Sequence, residues 1–173
     1  MEVYSNLSTN SGFDSFVRET EKMLYSFAYS ITLNKEDAKD AVQEAYLRLF
    51  KARQRVDYQK NLKAYVFQIV KNVCFDIIAK RKHENPIENL AVEEKVNRDT
   101  VLDRRKIIGA ALKILNKQER MIITLLIFEG FSSKEAGEIL GLSDSTVRNH
   151  YMNGRNKIRN FIIKNYPEYA RSI

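Results

Sequence analysis

The chain has 173 residues, a formal net charge of +7 and a pI near 9.4, which fits one domain or two small ones and points to a polyanionic partner. One cysteine and two histidines exclude an internal disulfide and make a poor metal-ligand set, so neither a metal nor a cofactor is expected. No apolar run approaches the roughly 20 residues of a membrane span, and the opening MEVYSNLSTNSGFDSF lacks a leader's basic and apolar regions, so no membrane insertion and a reducing cytoplasm are expected.

In chain order, the spacing predicts helix after helix. Phe13, Phe16, Val17, Leu24, Phe27, Ala28 and Ile31 recur at three and four residues, as on an amphipathic helix. Asn34 with Asp37 restarts the chain, and Ala38, Ala41, Val42, Ala45 and Leu49 continue a second helix to about Phe50. Asp37, Asp40 and Glu44 gather acid on its N-terminal half, where the helix dipole favours it. A solvated polar face is the ordinary explanation. Next to Gln43, Leu47 and Phe50, the same cluster suits a protein-docking face.

After the polar break KARQRVDYQKN comes a long third helix with a stripe of Leu62, Tyr65, Val66, Ile69, Val70, Val73 and Ile77. Its other side carries Lys63, Phe67, Gln68, Lys71, Asn72, Phe75, Asp76 and Lys80. Cations interleaved with rings suit single-stranded DNA, where bases stack and the backbone follows positive charge. Asn72 and Asp76 lie one turn apart and can share a base edge. The alternative is that the two phenylalanines pack on a neighbouring helix and Asp76 pairs with Lys80. Cys74 reads as a small core residue.

The helix ends in Lys80, Arg81 and Lys82. From His83 to about Arg98 the periodicity disappears and glutamates accumulate, which marks a linker. Periodicity resumes through Val101, Leu102, Ile108, Leu112 and Leu115, and Asn116 with Glu119 caps a further helix through Ile127.

The stretch from Gly130 to Ile163 reads as a helix-turn-helix. Ser132 and Glu135 have capping-box spacing, Gly141 suits the left-handed exit of the first helix, and Ser143 or Asp144 can cap the second. From Ser145 to Lys164 there are five Lys or Arg and no acid. A helix-turn-helix sets the N-terminal residues of its second helix against base edges in the major groove. Here Ser145, Thr146, Arg148, Asn149 and His150 can bond those edges, Arg155 follows on the same basic helix, and Val147 should point inward. A helical hairpin with a solvated basic face is the bland reading. The agreement of caps, turn glycine and one-signed charge argues against it.

The two halves together resemble the extracytoplasmic-function sigma factors of bacterial RNA polymerase, in the sigma-70 family. The resemblance is carried by DAKDAVQEAYLRLF, NLKAYVFQIVKNVCFDIIAKRK and LNKQERMIITLLIFEGFSSKEAGEILGLSDSTVRNHYMNGRNKIRNF. It implies an all-α protein of two small helical bundles joined by a flexible linker. Residues 1–83 would form the region 2-like domain, 84–101 the linker, and 102–173 the region 4-like domain with the helix-turn-helix. Asp37, Asp40, Gln43 and Glu44 would dock on core RNA polymerase. The loop near Arg53 to Asn61 and the helix bearing Lys71, Asn72 and Asp76 would capture the unpaired strand of the −10 element. Lys80, Arg81 and Lys82 would hold the adjacent duplex. The recognition helix would read the −35 element, and an anti-sigma factor would be the regulator.

Several positions depart from the family's pattern. Tyr65 stands where Trp is frequent, Ala79 where Arg is, and Ala136 and Gly137 where Ile and Ala are usual. His150 and Gly154 replace Arg and Ala on the recognition helix. A glycine inside a helix, as at Gly137, is expected to cost about 0.5–1 kcal/mol against Ala.

Two rival functions are weaker. A LuxR-type regulator would fit the helix-turn-helix, with Thr146, Val147, His150 and Lys157, but not the helical N-terminal half. An enzyme would need a carboxylate and histidine constellation, metal spacing or a phosphate-cradling loop, and none is present, so no catalytic residue is expected.

Overall fold

The computed structural model describes Leu7, residues 9–54, 61–84, 104–167 and Tyr169. The expected linker, apart from Glu84, and most of the expected strand-capturing loop lie outside those residues, as do Val101 and Leu102. The described residues form helices and no strand.

The first bundle is built from three helices whose ends follow the sequence signals. α1 (Asn10–Thr32) starts at Thr9, whose hydroxyl accepts from the Gly12 amide, and stops at Leu33, a left-handed residue at φ 52°. α2 (Lys35–Ala52) starts at Asn34, whose side chain accepts from the Glu36 and Asp37 amides. α3 (Leu62–Glu84) is the long helix. Phe16, Leu24 and Phe27 of α1 interlock with Ala38, Ala41, Ala45 and Leu49 of α2 and Val66, Val70, Val73 and Cys74 of α3, all fully or almost fully buried. The alanines let α2 approach its neighbours closely, and each large buried side chain contributes roughly 1.5–3 kcal/mol. The Cys74 thiol is pushed up to about 12, chiefly by that burial.

The second bundle comprises α4 (Arg104–Lys113), α5 (Lys117–Ile123), a π-helical continuation (Thr124–Phe128), α6 (Ser133–Leu140) and α7 (Asp144–Asn165). Asn116 and Glu119 form the expected capping box. The Glu119 carboxylate also accepts from Lys157 Nζ at 2.8 and 2.9 Å, tying α5 to α7. Its burial acts to raise the carboxyl pKa, but the Lys157 bonds and the Asn116 amide outweigh that and hold it below the usual range.

Sequence periodicity suggested two tethered bundles; the structure packs them on each other, with α1 against α5 and α3 against α6. Met121, Ile122, Phe131, Ile139 and Val147 join the same apolar cluster as the first bundle. Phe67 is fully buried, its ring centroid 5.1 Å from Phe27 and 4.9 Å from Phe131. Phe67 is therefore a core ring of the packed pair, not a stacking platform for DNA. Tyr65, placed on the apolar stripe by spacing, is instead 39% exposed, because α3 buries one side in its own bundle and another against α6. On α4, Ile107 and Ala111 are buried while Ile108 is 43% exposed, so the inward face is rotated from the one expected.

Apart from the bond of Asn61 Nδ2 to Glu135 Oε1 at 3.1 Å, the polar contacts named here share one logic. A helix leaves its last carbonyls without partners, and cations or amides aimed at them satisfy both the bond and the dipole. Lys71 Nζ donates to Ile139 O at 2.8 Å and Gln68 Nε2 to Glu138 O at 3.0 Å, both at the C-terminus of α6. Lys63 Nζ donates to Glu129 O at 2.9 Å, at the end of the π-helical segment. Arg120, only 6% exposed, gives Nε to Ser30 O near the end of α1 and Nη1 to Leu115 O at 2.8 Å.

Candidate nucleic-acid interface and docking face

The recognition helix has the geometry its sequence calls for. Ser132 and Glu135 close the capping box on α6, and Gly141 takes the left-handed exit at φ 72°. Of the two candidate caps for α7, Ser143 is the one used: its Oγ accepts from the Thr146 amide at 3.1 Å. The same oxygen lies 3.0 Å from Ser145 Oγ and 2.7 Å from Thr146 Oγ1, so these hydroxyls are held as a cluster. Val147 is fully buried, which fixes the helix so that Ser145, Arg148 and Asn149 are exposed and His150 half-buried. The Arg148 guanidinium pairs with Asp144 one turn back. Gly154 is buried where a Cβ would meet Ile123 Cγ1 at 3.3 Å, so its small size serves the contact of α7 with α5.

Arg155 is exposed beside an apolar groove of about 250 Å³ between α4, the π-helical segment and α7, lined by Ile107, Ile127, Phe128, Tyr151 and Ile158. Sequence reasoning missed this groove, because its lining comes from three elements far apart in the chain.

On the first bundle the expected strand-binding residues are divided. Asn72 and Asp76 are exposed, with Asp76 Oδ2 at 3.5 Å from Arg48 Nη1. Lys71 is half-covered by α6, and loss of water lowers its pKa from the ordinary lysine value. Phe75 stays 37% exposed, with Lys117 Nζ 5.1 Å from its ring centroid. In the basic cluster, Lys82 is exposed and Arg81 pairs with Asp37 at 2.8 Å.

The acidic face of α2 is partly engaged by the same network. Asp37 holds Arg81, and Glu44 accepts from Arg48 Nε at 2.8 Å. Asp40 and Gln43 are exposed beside Leu47, itself 54% exposed. Residues 40, 43, 44 and 47 lie on one helical face, giving an apolar centre with acidic flanks. Arg48, which bridges Glu44 and Asp76, drew no notice in the sequence, where it is one cation among many.

Two family models match this chain. Residues 16–84 match sigma-70 region 2, and residues 105–158 match sigma-70 region 4. The chain belongs to the sigma-70 family, as an extracytoplasmic-function sigma factor. The family's members are non-enzymatic transcription initiation factors. The extracytoplasmic-function sigma factor SigE of Mycolicibacterium smegmatis is 28% identical over 170 residues, covering 92% of this chain and 65% of that protein. The corresponding SigW of Bacillus subtilis is 26% identical, over 79% of this chain and 81% of its own length. Among solved structures, the sigma factor RpoE in complex with the anti-sigma factor NepR from Bartonella quintana shares the fold. That likeness has a TM-score of 0.71 at 24% identity and covers 86% of this chain and 97% of that one. CnrH in complex with the cytosolic domain of CnrY has a TM-score of 0.69 at 21% identity, covering 95% and 94%. The region 2 match leaves the LuxR-type alternative unsupported. Among the described residues, no helix of this sigma factor is long and apolar enough to cross a membrane.

Proposed function

We propose that this sigma factor joins core RNA polymerase through Asp37, Asp40, Gln43 and Glu44 on α2, and reads promoters with two separate surfaces. Residues 1–83 form the polymerase and −10 domain, 102–173 the −35 domain, and 84–101 the connection. Lys71, Asn72 and Asp76 take the unpaired strand, and Lys80, Arg81 and Lys82 the adjacent duplex. Ser145, Thr146, Arg148, Asn149 and His150 read the −35 element, with Arg155 on its phosphates. The protein works in the cytoplasm, where the polymerase is. The solved relatives RpoE and CnrH are bound to NepR and CnrY, and an anti-sigma protein is the corresponding regulator here.

The observation that carries this reading is the separation of chemistries. An exposed acidic and apolar face on α2 coexists with a capped, basic recognition helix and with exposed Asn72 and Asp76 one turn apart. A regulator that binds only duplex DNA needs the recognition helix but neither of the other two. Run-off transcription with purified core polymerase and genomic promoter fragments tests it. Discrete transcripts that depend on the chain are expected. Polymerase binding without promoter-specific initiation would refute it.

A further inference from the structure

The recognition helix α7 carries two regular stripes. Val147, Tyr151, Gly154 and Ile158 turn inward at helical spacing, with Val147 and Gly154 buried and the other two half-buried. Ser145, Asn149, Met152 and Asn156 repeat that spacing on the opposite side, and all four are exposed. Arg148 flanks the outer stripe, while Thr146 and His150 are half-buried toward the other edge. The outer side is the one a recognition helix lays into the major groove. Met152 thus stands inside that face.

Much of the polar chemistry around it is already engaged. The Ser145 and Thr146 hydroxyls lie 3.0 and 2.7 Å from the capping Ser143 Oγ, and the Arg148 guanidinium pairs with Asp144. Met152 is an apolar side chain among them, 54% exposed. It has no share in the apolar groove, whose α7 wall includes Tyr151, Ile158 and Ile162. Single exposed apolar side chains are ordinary on a protein surface. What distinguishes this one is its place where base edges are read.

Every base pair offers hydrogen-bonding groups in the major groove, and only thymine adds a methyl group. A thioether is a weak acceptor and no donor, so a base amino group or guanine oxygen set against it would lose water and gain no comparable bond. A thymine methyl gives up no hydrogen bond there, and the flexible, polarisable methionine chain can settle on it. We propose that Met152 is a specificity-determining residue, which holds the C5-methyl of one thymine in the −35 element. The contact rests on the reading of that element by α7. Met152 follows Arg148 by one helical turn, about 6 Å of helix. The thymine therefore lies within about two base pairs of the base that Arg148 reads.

Deoxyuridine tests the contact, because it pairs as thymidine does and lacks only the methyl group. The full chain, assembled with core polymerase, would first select duplexes from a random-sequence pool. The base position that Arg148→Ala relaxes marks the −35 sequence, and each thymine near it is then exchanged in turn. At one thymine, wild type should bind the deoxyuridine duplex about fourfold more weakly, the effect of one buried methyl group. Met152→Ala should bind the thymine duplex at least about fourfold more weakly than wild type and be indifferent to the exchange. Met152→Leu, which keeps an apolar side chain, should remain sensitive to the methyl, and so should Arg148→Ala. A methyl effect that survives in Met152→Ala, no methyl effect at any thymine, or a selected sequence without thymine at that distance would overturn the contact and leave the −35 reading standing. A pool that yields no sequence preference altered by Arg148→Ala would overturn the −35 reading and the contact with it.

Discussion

Gly137→Ala separates what the sequence suggests from what the packing requires. Propensity alone says the substitution should stabilise α6 by about 0.5–1 kcal/mol. The structure predicts the opposite sign. A Cβ at position 137 would stand 2.6 Å from the Leu142 backbone oxygen, with Leu142 C at 3.7 Å and Asp144 N at 3.8 Å. The Leu142 carbonyl cannot swing aside freely, since the Leu142 amide bonds Gly137 O at 2.9 Å and Gly141 fixes the turn at φ 72°. Moving a packed backbone segment costs about 1–3 kcal/mol. Set against the propensity gain, the net expectation is a loss of about 1 kcal/mol, or about 2–4 °C in Tm for a chain of this size. Gly109→Ala is the matched control. It lies in α4 with nothing within 4 Å of its added methyl, so it should gain the full propensity increment. Urea unfolding of both variants, followed by circular dichroism, measures the pair. If Gly137→Ala stabilised as much as Gly109→Ala, the close approach of the turn to α6 would be refuted.

Charge reversal at Asp40 and Glu44 should abolish co-purification with core polymerase while leaving helicity unchanged. Only the exposed Glu44–Arg48 pair is lost from the fold, and such pairs contribute about 0.3–0.5 kcal/mol; lost helicity would make the residues structural. Replacing Asn72 and Asp76 together with Ala should reduce permanganate reactivity of promoter thymines, and a pre-opened bubble should restore part of the activity. Unimpaired opening of duplex promoters would remove them from strand capture. Arg148→Ala should cost about 1–3 kcal/mol in promoter binding and relax one base position. Arg155→Ala should weaken all sequences alike and flatten the salt dependence; binding like wild type by both would sink the recognition-helix assignment. Glu119→Gln probes the α5–α7 tie. Because the folded carboxyl is held below its ordinary value, its stabilisation is present above the unfolded pKa of about 4.3 and fades as pH falls through the folded value. The gap in urea midpoint between wild type and variant should therefore narrow from about pH 7 to about pH 3, and a gap that stayed constant would contradict the assignment.

Local signals were legible because their physics is local. Asn34, Asn116, Ser132 and Ser143 cap the helices their positions announce, Gly141 takes the left-handed exit, and Val147 turns inward. The caps and the turn involve groups within four residues, as does the periodicity that identified α1 and α2, while the recognition helix was marked by its cap, the turn glycine and one-signed charge. The sequence by itself thus determined the helices, their order, the family and the chemistry of the exposed faces. Tertiary structure decided which face of α3 meets water. Phe67, left open between stacking bases and packing on a neighbouring helix, is a core residue, while Tyr65 looked like core and is exposed. It also decided the partners of Asp76, Arg81 and Lys71, which lie on other helices 28, 44 and 68 residues away. Periodicity reports that a helix has an apolar side, but not how many neighbours it will have. A helix packed between its own bundle and a second one buries two sides, and only the relative placement of the bundles reveals the second.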